Sequence, residues 1–566
     1  MERRIFPLLA SGALAALVAA PAVAQTLAYD ASDSGTDDGG YGLESGRGLP
    51  GTGRTGHRER LRLSPYIEAA QVISADLSPD HDVLTWSSLA AGVDGRIKGR
   101  SSEAAFSVRY ERRFGYGKAN DTGTLSGLVR GGTVLVANAV SLEAGALATR
   151  TTIDGNGASL PGGFDRGRSS QLWSAYVGPS LATRAGDVAI NGHYRIGYTE
   201  LGNNAIVTAN GLPASQDLFD HSVVQNAELH AGTRPGEPLP IGLGAGAGWY
   251  REDISNLDQR VDDFHARADM TVPVGPDLAF VGGVGWEKVR VSSRDALRDG
   301  AGLPVIGADG RYVTNTAAPR QIAYESTGAI WDAGVTWRPS RRTALEAHVG
   351  WRYGGTTAYG SFGWMPSRRT TISVAAYDSL SGLGGQLNRA LVALPSDFLV
   401  QRDAVSGDIN GCVVTLAQGP CITGAFGSAG SAAFRARGIM ASYSTRIAGF
   451  GTGLAAGYDR RRFIAAPGTI LASANGLIDE NTWLAAWFNG RLGPRTTFNT
   501  YVFADWYRSG QLANADGTAL GATGSLAHSF DNHLSANAAL SLTGLERDLV
   551  DDVWNASALV GMRYSF

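Results

Sequence analysis

The last fifteen residues, Asp552 to Phe566, alternate in character from one residue to the next. Trp554, Ala556, Ala558, Val560, Met562, Tyr564 and Phe566 form an apolar set with an aromatic at each end. Val553, Asn555, Ser557, Leu559, Gly561, Arg563 and Ser565 are mostly small or polar. A strand has a side-chain period of two, so this segment asks for an apolar medium on one side and a wetter space on the other. The pattern recurs at 62–77, 82–98, 101–117, 121–136, 139–153, 169–184, 186–200, 219–234, 239–253, 258–275, 276–294, 319–338, 341–354, 356–366, 368–380, 431–447, 449–463, 478–491, 494–509, 516–529 and 532–547. With 552–566 that makes twenty-two segments. Most are longer than the roughly 9–11 residues a tilted strand needs to cross a bilayer.

The connections test this reading independently. The long ones, 154–168, 201–218, 295–318, 381–430 and 464–477, all follow odd-numbered segments. The even connections are tight turns built on Pro, Gly and Asn, such as Pro235-Gly236-Glu237-Pro238, Gly275-Pro276-Asp277 and Gly493-Pro494-Arg495. A missed single strand would destroy this parity. The expected fold is therefore all-β, a single transmembrane antiparallel up-and-down β-barrel over 61–566, with about 22 strands in a range of 16–22. Closure is a physical necessity, because a sheet in lipid cannot leave edge N–H and C=O groups unpaired.

Composition agrees. Gly supplies 76 of 566 residues, only 18% are charged, and the formal net charge is -3. Near-neutrality implies no nucleic-acid partner. Met1 to Ala24 reads as a signal peptide of Sec type: a Glu2-Arg3-Arg4 start, an apolar Ile5–Ala20 core, and Ala22-Val23-Ala24 ahead of Gln25. Residues 25–60 read as a disordered periplasmic leader. Cys412 and Cys421 are nine apart with no nearby His, which favours a structural disulfide in an oxidising compartment over a metal site. No cofactor or metal is expected, and no Gly-x-Ser-x-Gly, His-Glu-x-x-His or phosphate-loop motif marks an enzyme.

Alternation assigns faces. In 263–274, Phe264, Ala266, Ala268, Met270, Val272 and Val274 should meet lipid, and Asp263, His265, Arg267, Asp269 and Thr271 the lumen. In 344–353, Glu346, His348 and Arg352 face in. The other inward candidates are Arg109, Glu111, Glu143, Asp459, Arg461, Arg491, Asp505 and Arg563. Their mixed signs argue for a paired, hydrated wall and against a ring of one charge. Gly242, Gly244, Gly246 and Gly248 form an inward row, the mark of a strongly curved strand or of something lying close to the wall. Tyr501 and Phe503 are the one adjacent inward aromatic pair proposed for stacking a sugar. With no folded plug apparent, the 50-residue stretch 381–430 is the obvious candidate to fold into a lumen that side chains alone are too small to fill.

Two resemblances follow. The closing strand resembles that of bacterial outer-membrane barrels, which implies Tyr564 and Phe566 as the signal read by the barrel-assembly machinery, with outer-membrane lipid as the surrounding partner. A second likeness is carried by Pro65-Tyr66-Ile67-Glu68, Ala75-Asp76-Leu77, Ser87-Ser88-Leu89-Ala90-Ala91-Gly92-Val93-Asp94 and Tyr110-Glu111-Arg112-Arg113. Trp337-Arg338-Pro339-Ser340-Arg341-Arg342-Thr343 and its recurrence Trp364-Met365-Pro366-Ser367-Arg368-Arg369-Thr370 add to it. These stretches resemble the outer-membrane β-barrel family found with exosortase/PEP-CTERM and exopolysaccharide gene clusters. That resemblance implies a porin-like channel for exopolysaccharide export or assembly. The alternatives are general diffusion of small solutes, or a surface barrel acting through its outer loops.

Overall fold

The computed structural model describes residues 60–79, 81–153, 159–161, 169–202, 218–394, 398–414, 429–510, 516–547 and 550–566. The signal-peptide and leader segments lie outside them, apart from Arg60. The wall consists of β1 (Arg60–Ser78), β2 (Val83–Lys98), β3 (Ser102–Tyr116), β4 (Thr122–Val136), β5 (Val140–Ile153), β6 (Ser169–Ala185), β7 (Val188–Leu201) and β8 (His221–Thr233). It continues through β9 (Gly242–Ile254), β10 (Gln259–Pro273), β11 (Leu278–Ser293), β12 (Gln321–Ser340), β13 (Thr343–Arg352), β14 (Gly355–Ser367) and β15 (Thr370–Ser381). After one long connection come β16 (Ala433–Ile447), β17 (Phe450–Ile464), β18 (Ile478–Arg491), β19 (Thr496–Arg508), β20 (Gly517–Ser529), β21 (Leu534–Arg547) and β22 (Val550–Ser565). Each strand pairs antiparallel with its neighbours in sequence, and β22 pairs with β1 through Ile67↔Tyr564, Glu68↔Arg563 and Ala69↔Met562. Phe566 N–H donates to Pro65 O at 3.0 Å, so the terminal residue is tied into the seam. The closed 22-strand barrel matches the expected segments one for one.

The alternation sets the two faces. Val284, Leu540 and Val560 are 66%, 69% and 68% exposed, and their strand neighbours point inward. Trp286, Trp331, Trp351, Trp364 and Trp506 join the outer face. An apolar outer belt carrying aromatics suits bilayer hydrocarbon and its interfaces rather than water.

The turns are set by local chemistry. In both Pro-Ser-Arg turns the serine hydroxyl accepts the arginine N–H two residues on: Ser340 from Arg342 at 3.2 Å and Ser367 from Arg369 at 3.1 Å. Asp531 accepts the N–H groups of His533 and Leu534, both at 2.7 Å, and those bonds hold its carboxyl below the usual range. Tyr353 and Gly354 join β13 to β14 with φ of 55° and 62°, the left-handed pair of a two-residue hairpin turn.

Candidate functional site in the lumen

The described parts of connection 382–432, residues 382–394, 398–414 and 429–432, fold inward, where the sequence had placed its one lumen-filling candidate. The connection opens with helix α1 (Leu383–Ala393), whose Leu383, Leu387 and Leu391 recur every four residues and pack on the inner face against Leu128, Leu172, Val224 and Tyr250. The N-cap residue Gly382 has no side chain to satisfy the first helical N–H groups. Glu252, fully buried on β9, does so: it accepts from Gly382 N at 2.7 Å, Gly385 N at 2.9 Å and the Tyr250 hydroxyl at 2.7 Å. A carboxylate there also meets the positive end of the helix dipole. Asn388 donates to Thr199 Oγ1 on β7 at 2.9 Å.

Beyond α1, a short hairpin pairs Leu399–Arg402 with Ile409–Val414. Its tip reaches far around the wall. Asp408 receives three bonds from Arg150 of β5, at 2.8 to 3.0 Å. Arg402 donates to Ser107 on β3 (3.0 Å) and to Gly407 O (3.0 Å) within its own turn. Asp403 accepts from Thr523 on β20 at 2.7 Å. Val405 packs among Val72, Trp86, Ala539 and Leu559 of β1, β2, β21 and β22. The loop ends at the wall beside Gln259, the first residue of β10: Ser431 O accepts from the Gln259 side chain, and the N–H of Ala433, the first residue of β16, donates to it.

The wall charges form linked networks rather than isolated pairs, and the two largest differ in composition. On β8 and β10 to β13, five carboxylates (Asp263, Asp269, Glu287, Asp332, Glu346) face two guanidiniums (Arg267, Arg352) and three imidazoles (His230, His265, His348). Arg267 grips Asp332 with two bonds of 2.7 and 2.9 Å, His348 contacts Asp332 at 3.1 Å and Glu346 at 3.3 Å, and Arg352 bridges Asp263 (2.9 Å) and Glu287 (3.4 Å). On β22, β1 to β7 and the hairpin, seven guanidiniums (Arg109, Arg113, Arg130, Arg150, Arg195, Arg402, Arg563) mingle with five carboxylates (Glu68, Asp94, Glu111, Glu143, Asp408). The loop's anchors fall mainly on this guanidinium-rich side.

Most other candidates lie on the same inner face. Arg461 and Asp459 pair at 2.6 Å, both nearly fully buried. Asp505 is buried and accepts from Asn481 at 3.4 Å. Arg491 sits exposed at the turn end of β18. Cys421 and the side chain of Cys412 lie outside the described residues.

Two features sharpen the sequence reading. First, among the described residues the atoms nearest to the glycine row of β9 belong to neighbouring parts of the wall and not to the loop. A Cβ on Gly244 would meet His230 and Asp269 at 2.5–2.6 Å, and one on Gly248 would meet His265 at 2.3 Å. The glycines make room for flanking side chains to lie flat along the wall. Second, Tyr501 and Phe503 do not stand alone. Trp483 and Trp487 of β18 face in beside them and lie over Gly457 and Gly453. All three of Tyr501, Trp483 and Trp487 are at most 4% exposed, so the cluster is packing rather than an open sugar platform. The alternation Asn481, Trp483, Ala485, Trp487 carried that signal.

No family model and no curated protein matches the chain. Solved structures do. The FrpB iron transporter from Neisseria meningitidis (F5-1 variant) aligns with a TM-score of 0.43 and 11% identity, over 89% of this chain and 82% of that one. The siderophore receptor PiuA from Acinetobacter baumannii gives 0.41 and 9%, over 88% and 82%. The alcaligin outer-membrane receptor FauA from Bordetella pertussis gives 0.37 and 11%, over 88% and 76%. The likeness is one of barrel to barrel.

Proposed function

We propose that this chain is a bacterial outer-membrane channel for small hydrophilic solutes, its bore set by loop 382–432. The observation that carries this reading is the infolded loop. Its described anchors fall mainly on the guanidinium-rich part of the wall. In this reading the carboxylate-rich network of β10 to β13, with Glu346 as its most accessible carboxylate, borders the remaining path. Charged groups lining a narrow path set its selectivity, so the channel prefers cations. Export of exopolysaccharide is the narrower reading. It requires the loop to leave the lumen, because a strap bonded to β3, β5, β7 and β20 obstructs a polymer. The proposal includes no catalytic role and no cofactor.

Conductance of the purified barrel in a planar bilayer, with the reversal potential under a salt gradient, tests the reading. The expected result is a small, cation-preferring conductance, shifted toward anions by Glu346→Gln. Glu346 suits that test because its side chain is 27% exposed and so less embedded than its neighbours. Anion preference, or silence with and without the loop, overturns the proposal.

We also propose that the assembly machinery reads Tyr564 and Phe566. Removing residues 564–566 deletes Ile67↔Tyr564 and Tyr66↔Ser565 from the seam. Folded barrel recovered from the outer-membrane fraction should fall several-fold. An unchanged yield would remove the signal role.

A further inference from the structure

The outer face carries a charge pattern at the long-loop end that the channel reading does not use. One row of outward side chains runs Asp378↔Arg437↔Arg460↔Glu480↔Arg508 across β15 to β19. The next row toward the loops sets Arg435 directly opposite Arg462. Two arginine pairs thus face each other across the β16–β17 ladder. Like charges in that position are destabilising.

Elsewhere on the same rim, the register matches opposite charges. Arg251 faces Asp262, Asp253 faces Arg260, and Arg290 faces Glu325. On β16 and β17 the acids are too few. Asp378 is shared by Arg435 (2.7 Å) and Arg437 (3.0 Å), and Glu480 reaches Arg460 only at 3.7 Å. Among the described residues Arg462 and Arg508 make no ion pair. Five guanidiniums therefore meet two carboxylates.

The depth of the patch points to its occupant. The neighbouring row toward mid-barrel is Ile439↔Tyr458↔Thr482↔Trp506, and Ile439, Tyr458 and Trp506 are 49%, 38% and 43% exposed. Tyr and Trp mark the level where hydrocarbon gives way to headgroups. The arginines lie one row beyond, at headgroup level. Guanidinium forks bind phosphate oxygens bidentately and outperform ammonium groups there.

We propose that this patch binds lipid phosphate in the membrane leaflet at the long-loop end, with Arg437, Arg460 and Arg462 as the chief contacts. The lipid phosphate supplies the negative charge that the β16–β17 ladder lacks. This rests on the membrane placement above.

Nanodiscs carrying the purified barrel and either phosphatidic acid or diacylglycerol, lipids that differ only in the phosphate, provide the test. Retained lipid is read by native mass spectrometry. Wild type should hold phosphatidic acid over diacylglycerol, and R437Q/R460Q/R462Q should lose roughly ten-fold in affinity. R437K/R460K/R462K should fall between them. R251Q, on the charge-matched part of the rim, should bind as wild type. Equal retention by wild type and the triple Gln variant overturns the proposal, as does full displacement by inorganic phosphate alone, which would make the patch a free-anion site. A barrel that does not enter the bilayer overturns the membrane placement itself, an outcome distinct from insertion without phosphate preference.

Discussion

Replacing residues 382–432 by a short turn should raise single-channel conductance several-fold. A wall of about 22 strands encloses far more space than its own side chains fill, and this loop is the segment that reaches across it. The wall should survive the deletion, because Ser381↔Phe434 already pairs β15 with β16 beside the loop's two ends. The cost is local. Removing α1 uncovers Leu128, Leu172 and Val224, which now pack beneath its leucines, and hydrating that apolar surface is unfavourable at about 25 cal/mol per Å². Deleting only the hairpin, 399–414, keeps α1 over this patch. Planar-bilayer currents should therefore rank wild type lowest, the hairpin deletion higher and the full deletion highest. Equal currents in all three would mean that the loop does not limit the path.

Asp408→Ala should free the hairpin tip without unfolding the wall. The carboxylate takes three bonds from Arg150, and the two side chains are only 2% and 8% exposed. Breaking a buried pair by removing one partner costs about 3–5 kcal/mol, because the remaining charge is left uncompensated. Rotation of Arg150 toward lumen water would reduce that cost, so the expected effect lies at the lower end of the range. It should register as noisy, larger currents and as protease cleavage within 399–414, with the wall still resistant. Exchanging both partners for apolar residues, Arg150→Met with Asp408→Leu, removes the stranded charge and should quiet the channel again. If Asp408→Ala is as quiet and as protease-resistant as wild type, the pair is not what holds the tip.

Much of this architecture is legible in single segments. The alternation in 263–274 separates Phe264 and Met270 from Asp263, Arg267 and Asp269, and the barrel keeps that division. Turn chemistry was equally local: the two Pro-Ser-Arg turns make the same serine-to-backbone bond because they share the same residues. Loop-length parity then required an even, closed sheet. The inward fate of 382–432 was legible only as a length. Nothing between Leu383 and Leu394 says that its helix start will be satisfied by Glu252, 130 residues away in the chain. Trp483 and Trp487 were missed although their parity was visible, because an inward aromatic says nothing about lying flat until the facing Gly457 and Gly453 are known.

The sequence by itself determined the strands, their faces, their turns and their closure, because each follows from a period of two and from chemistry within a few residues. Tertiary structure alone decided which inner charges on different strands are partners. Arg267 and Asp332 are 65 positions apart, and Arg150 and Asp408 are 258 apart. Such pairs exist only once register, closure and the inward course of the loop bring distant strands together. The same register sets Arg437 against Arg460 and Arg435 against Arg462 on the outer rim. A period of two states which way each arginine points, but only the ladder states what stands opposite it.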